Sequence, residues 1–209
     1  MKTSYLTFIL FFAFNATFGQ EYIFDKVAKT KITSNYSHGY EYTDLYNAND
    51  YSYHMQIYSR NDSLIARIFD KEEAKRHVFY LDKKDSLRPV YIKTDNLRRN
   101  YVKYTTEYSK SKKEKDSAKI NFSLKGKGKT SNYTLTIDKS EHNYFPIFAS
   151  YGGLGINELV FTEIAGPYNC TVLKAEGKNF SGNYYKYELV SINDVNLKVI
   201  MPPKKEIIK

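Results

Sequence analysis

The residues that could do chemistry are few and scattered. KGKGKTS, residues 125–131, ends in Gly-Lys-Thr, the close of a phosphate-cradling loop. That loop needs a further glycine five residues before Gly128, and Ser123 stands there instead. In YGGLGINEL (151–159), Gly153 and Gly155 have the spacing of a dinucleotide fingerprint, but Glu158 replaces its third glycine. The four histidines, His38, His54, His77 and His142, share no metal-ligand spacing within one segment, so no metal site is expected. No Gly-x-Ser-x-Gly elbow occurs. Asp and Glu fall mostly in turns, where local hydrogen bonding accounts for them. The expectation is a non-enzymatic protein without a cofactor. Cys170, the one cysteine, cannot form an intramolecular disulfide and reads as a small buried apolar residue.

Tyrosine dominates instead. The chain has 21 tyrosines and no tryptophan among 209 residues. In YSYHMQIYS (51–59), Tyr51, Tyr53, Met55 and Ile57 alternate onto one face of an expected strand, opposite Ser52, His54, Gln56 and Tyr58. Tyr104 and, in YYKYELVSI (184–192), Tyr185 and Tyr187 give similar rows. Tyrosine packs well on pleated, half-buried surfaces, but its hydroxyl needs a partner or water. Tyr51, Tyr53, Met55, Tyr104, Tyr185 and Tyr187 are therefore the candidate ligand-binding wall, for a lipid or another apolar small molecule. The alternative is that they are plain core packing.

A second feature is basic. The net charge is +9, and residues 110–129 carry eight lysines against Glu114 and Asp116. Lys110, Lys112, Lys113, Lys115, Lys125, Lys127 and Lys129 form a candidate surface for an anionic membrane or glycan. Solvated loops that blunt strand edges would use lysine in the same way. Lysine in place of arginine, and no base-stacking motif, speak against specific nucleic-acid recognition.

These groups need a frame. MKTSYLTFILFFAFNATFGQ opens with Lys2 and a nine-residue apolar stretch, Leu6 to Phe14, then Thr17 and Gly19 at −3 and −1 of a cut before Gln20. That is the pattern of a cleaved signal peptide, too short to cross a membrane, where roughly 20 apolar residues are needed. Residues 1–19 are thus expected to be a signal peptide, and 20–209 a single, exported, periplasmic or secreted all-β domain. EYIFDKVAKTK (21–31) has Ile23, Phe24 and Val27 at helical spacing and predicts a short N-terminal helix. Period-two runs follow, rich in Val, Ile, Thr, Tyr and Phe and parted by short polar connectors. Connectors of that length form hairpins, so the prediction is an antiparallel meander of about ten to twelve strands curled into an open or closed barrel. SEHNYFPIFASYGGLGI (140–156) reads as a loop with one short helical turn.

At the level of architecture, a short helix before a long meander resembles the open half-barrels of periplasmic lipoprotein carriers, and equally a closed lipocalin-like barrel. The resemblance implies a non-enzymatic envelope protein with a ligand on a concave face. A structural or adhesion protein, docking an anionic glycan or a protein through its basic exterior, is the competing expectation. Asp-Ser-apolar triplets at Asp62, Asp85 and Asp116 also resemble a bacterial O-glycosylation acceptor, over three residues each.

Overall fold

The computed structural model describes residues 20–35, 37–60, 63–82, 88–97, 104–113, 117–126, 128–150, 164 and 166–202. The expected signal peptide lies outside them, as does all but Ile164 of NELVFTEI (157–164), one of the period-two runs. Among the described residues there are eleven antiparallel strands and one short helix: β1 (Glu21–Ser34), β2 (Ser37–Asn47), β3 (Asp50–Arg60), β4 (Ser63–Asp70), β5 (Lys75–Asp82), β6 (Arg88–Asn96), β7 (Thr105–Lys113), β8 (Ala118–Gly126), β9 (Lys129–Lys139), α1 (Phe145–Ala149), β10 (Cys170–Lys178) and β11 (Tyr184–Ile200). All eleven strands belong to one sheet, ordered β6-β5-β4-β3-β2-β1-β11-β10-β9-β8-β7.

Two corrections concern the ends of the chain. Residues 21–31 are strand, not helix: Tyr22 and Phe24 alternate with exposed neighbours, and β1 pairs along its length with β11 and β2. Cross-strand burial outweighs the weak helical spacing of three residues. Residues 192–194, IND, have the make-up of the short polar connectors expected between strands, yet they continue β11 as one 17-residue strand.

The connection between β6 and β7 is not a hairpin either. These two strands are the opposite edges of the sheet, so it remains open at that seam. Nine residue steps from Asn96 to Thr105 reach at most about 32 Å. A flat sheet of this order would hold its edges about 48 Å apart. The sheet must therefore curl, which agrees with the expected open barrel.

The sheet carries a core on each face. The first gathers Tyr22, Phe24, Leu45, Met55, Ala66, Ile68, Phe79, Leu81, Val199 and Met201. The second gathers Phe122, Leu124, Tyr133, Leu135, Val172 and Tyr187 with Phe145, Ile147 and Phe148 of α1. A register shift in β1 between Phe24 and Lys26 explains the change of side. Tyr22 and Phe24 point into the first core, and Ala28 and Ile32, after the shift, point into the second. One extra residue opposite a bulge inverts which face the even-numbered side chains occupy.

Register on β10 and β11 is reinforced by reciprocal charge pairs. Lys174 stands opposite Glu188, and Glu176 opposite Lys186, with nitrogen–oxygen distances of 3.3 and 3.4 Å. Such exposed pairs contribute little stability, but a two-residue slip, which would keep each side chain on its face, would set Lys174 opposite Lys186 or Glu176 opposite Glu188.

Candidate functional site

The six residues expected to form one aromatic wall divide between the two cores. Tyr53 and Met55 belong to the first, and Tyr51, Tyr104, Tyr185 and Tyr187 to the second. The shared face expected for Tyr51, Tyr53 and Met55 breaks between Tyr51 and Tyr53, beside a register shift in the β2–β3 ladder between Leu45 and Asn47. Tyr51 then packs on Tyr46, with ring centroids 6.1 Å apart.

Tyr53 is bound up in structure. Its hydroxyl donates to Ile23 O at 2.9 Å and accepts from Ile23 N at 3.2 Å, while its ring meets Tyr22 and Phe24 edge-on. Met55 is buried in the same core. Tyr104 lies over Gly126, where an added Cβ would come within 2.4 Å of its ring, and beside Phe180. Tyr187 is buried against Phe148 at 5.3 Å. Of the lysine set, Lys125 pairs with Glu107 at 2.6 Å and Lys129 is exposed. The side chains of Lys110, Lys112 and Lys113 and all of Lys115 and Lys127 lie outside the described residues, as do Asp62, Asp85 and Asp116.

Two polar arrays went unnoticed in the sequence. The first lies on the first face, where β1 crosses β4 and β5. Tyr22 OH donates to Asp70 Oδ2 at 2.8 Å, and Gln20 Nε2 donates to the same oxygen at 2.6 Å. With the phenol's only hydrogen committed, His77 Nε2, 2.9 Å away, must be the donor to Tyr22. His77 Nδ1 then accepts from Thr94 Oγ1 at 2.7 Å, and Thr94 Oγ1 accepts from Tyr91 OH at 2.8 Å. Asp70 Oδ1 accepts from Glu73 N at 2.7 Å, closing the β4–β5 turn. Burial and the Asp70 carboxylate push the Tyr22 hydroxyl far above the ordinary phenol range, and burial pulls His77 below the ordinary imidazole range. Every hydrogen points towards Asp70, so His77 holds no free lone pair with which to activate a nucleophile. The array is a lock between strands.

The second array lies on the second face of β1 to β4 and is different in kind. Thr30, Asp44 and Tyr46 are almost wholly buried. Asp44 sits opposite Ala28 on one side and Gln56 on the other, and Gln56 sits opposite Arg67. His54 is stacked between Tyr46 and Phe69, with centroids 5.8 and 5.0 Å away. Thr30 Oγ1, Tyr46 OH, Tyr51 OH, His54 Nδ1 and Arg67 Nε are buried without a hydrogen-bond partner. Ser150 offers Tyr46 some polar contact, but its own hydrogen goes to Pro146 O at 2.7 Å. Burial drives Asp44 well above the ordinary carboxyl range. His54, half-buried as a residue but with Nδ1 enclosed, is pushed down to about 3 by burial. A polar residue alternating with tyrosines, as Asp44 does in YTDLY, was the available signal.

Among the described residues no group of three metal-ligating side chains converges, and no helix is long and apolar enough to cross a membrane. No family model, no curated protein and no solved structure matches this chain.

Proposed function

We propose that this is an exported, non-enzymatic envelope protein that holds an apolar or amphipathic ligand, such as a lipid, against the tyrosine-rich second face of its curled sheet. Export rests on the signal-peptide pattern of residues 1–19. The observation that carries the ligand reading is a half-buried rim of Tyr42, Tyr51, Tyr104, Tyr108 and Tyr185 around the second core, where aliphatic residues would close the interior without hydroxyls. Within the candidate wall, Tyr51, Tyr104, Tyr185 and Tyr187 contribute to this site. Tyr53 and Met55 support it from the opposite face.

The test is native mass spectrometry of residues 20–209, purified without detergent and then offered oleate. A co-purifying lipid, or a stoichiometric oleate adduct, supports the reading. The bare chain mass in both samples overturns it.

A second reading is a structural or adhesion protein that meets an anionic glycan through its lysines. It is favoured by edge-to-face packing of Phe122 with Phe145 and Phe148, at 5.8 and 6.1 Å, which fills the centre of the second core.

A further inference from the structure

Exposed apolar side chains are ordinary when scattered and informative when they adjoin one another. Among the described residues nine large apolar side chains are exposed, and three of them, Tyr80, Val90 and Ile92, sit together on β5 and the edge strand β6. Tyr80 stands opposite Val90 and points away from the first core, which its neighbours Phe79 and Leu81 enter. The register carries this row inward, from Tyr80 to Ile65 on β4 and then to Tyr58 on β3. None of these four residues belongs to either core. Exposure rises along the row towards the edge: Tyr58 and Ile65 are half-buried, Tyr80 is 36% exposed and Val90 49%.

An exposed edge would ordinarily attract another strand, but β6 opposes that. Pro89 has no N–H to donate, a register shift leaves Ile92 without a ladder partner on β5, and Lys93 is exposed. The apolar row therefore suits a partner that asks for no backbone ladder. The charges beside it say which. The next row runs Gln56, Arg67, Val78, Lys93, and the one after sets Arg76 opposite Asp95. Arg67 also lies over the Tyr58 ring, 4.5 Å from its centroid. Among the described residues on this face of β4 to β6, three cations stand against one carboxylate, in a chain of net charge +9. An apolar row beside a cationic one fits a membrane interface. The first enters the boundary of headgroups and acyl chains, and the second meets lipid phosphates. Tyrosine favours that depth.

We propose that Tyr80, Val90, Ile92 and Lys93 form a docking surface for an anionic lipid bilayer. This surface is separate from the lysine set at 110–129, which runs from β7 to β9 at the opposite edge of the sheet. It does not depend on a ligand at the second core: a chain that takes up no oleate can still dock, and one that takes it up need not.

The chain has no tryptophan, so Ile92→Trp in residues 20–209 places a sole fluorescent reporter at the patch. Val190→Trp, at an exposed position of β11, is the control. Each is mixed with vesicles of phosphatidylcholine, alone or with about one-third phosphatidylglycerol. The emission of Ile92→Trp should move to the blue on the anionic vesicles and be quenched by brominated acyl chains, while that of Val190→Trp stays water-like. Binding to the anionic vesicles should be about tenfold tighter than to phosphatidylcholine alone. In flotation of the otherwise native chain, Val90→Ser should lower binding about fivefold. Lys93→Gln should lower anionic binding by about as much, and neither variant should shift the melting temperature, since both side chains are exposed. An unshifted Ile92→Trp spectrum overturns the proposal, and so does equal binding to both kinds of vesicle. Flotation of Val90→Ser at the parent's level also overturns it, because the lysines of the other edge then carry the contact.

Discussion

The hydroxyl of Tyr22 lies between Asp70 Oδ2 at 2.8 Å and His77 Nε2 at 2.9 Å, so one phenol ties the first strand to residues 48 and 55 positions further along the chain. Tyr22→Phe keeps the ring and deletes both bonds. It leaves the His77 N–H buried and unpaired, and should cost about 2–3 kcal/mol in urea denaturation. Tyr53→Phe, whose hydroxyl bonds the Ile23 backbone and accepts a long 3.3 Å bond from Asn47 Nδ2, should cost about 1 kcal/mol. Equal losses in the two variants would mean that the Tyr22 array is no more than an ordinary pair of bonds.

Acid should weaken the protein through its buried imidazoles. His54 is pushed down to about 3, and His77 is also lowered, both by burial. An unfolded chain binds protons on these histidines from about pH 6.5 downwards, while the folded one does not. Stability is therefore complete above that pH and falls below it, by up to about 1.4 kcal/mol per unit from His54 as pH drops towards 3, with His77 acting in the same direction. His54→Phe should flatten part of this slope in a pH series of melting curves.

Asp44 has the opposite sign. Burial raises its carboxyl in the folded state, so its contribution is present in acid and is lost as pH rises from the unfolded carboxyl range, near 4, towards the folded value. Asp44→Asn should melt higher than the parent at pH 7 and match it near pH 3.

Ala74 closes the β4–β5 turn at φ 53°, in the left-handed region. A side chain there costs roughly 1 kcal/mol relative to glycine. Ala74→Gly should raise stability by about that amount, read from the shift of the urea midpoint.

The Cys170 thiol is buried and raised by burial to about 11. It should resist thiol reagents at pH 8 in the folded protein and react within the dead time once guanidinium is added.

The strands were legible because period-two alternation survives in short segments such as SLIARIFD and AKINFSLKG. What alternation cannot carry is a change of face. The bulge at Asp25 and the shift near Tyr46 leave no mark in residue type, so Tyr51 and Tyr53 read as neighbours on one wall but serve opposite cores. The N-terminal helix failed for a related reason: Phe24 and Val27 mimic helical spacing because a bulge falls between them. The first polar array escaped because His77 and Thr94 meet through strand register, and Tyr22, three strands from β4, reaches Asp70 and His77 only through the curl of the sheet.

The partners at the middle of the sheet, β1 and β11, are the first and last strands of the chain. On one side β2 to β6, and on the other β7 to β9, can zip from hairpin to hairpin over short separations, while β10 joins β9 only across the residues between Lys139 and Cys170. Their junction waits for residues 184–200, and until those arrive Tyr22, Phe24 and Ala28 lack half of their cover. Closure over so long a span makes folding slow and concentrates it in one late step. A chain cut short by even its last strand should stay open and vulnerable to proteases, however complete its two wings.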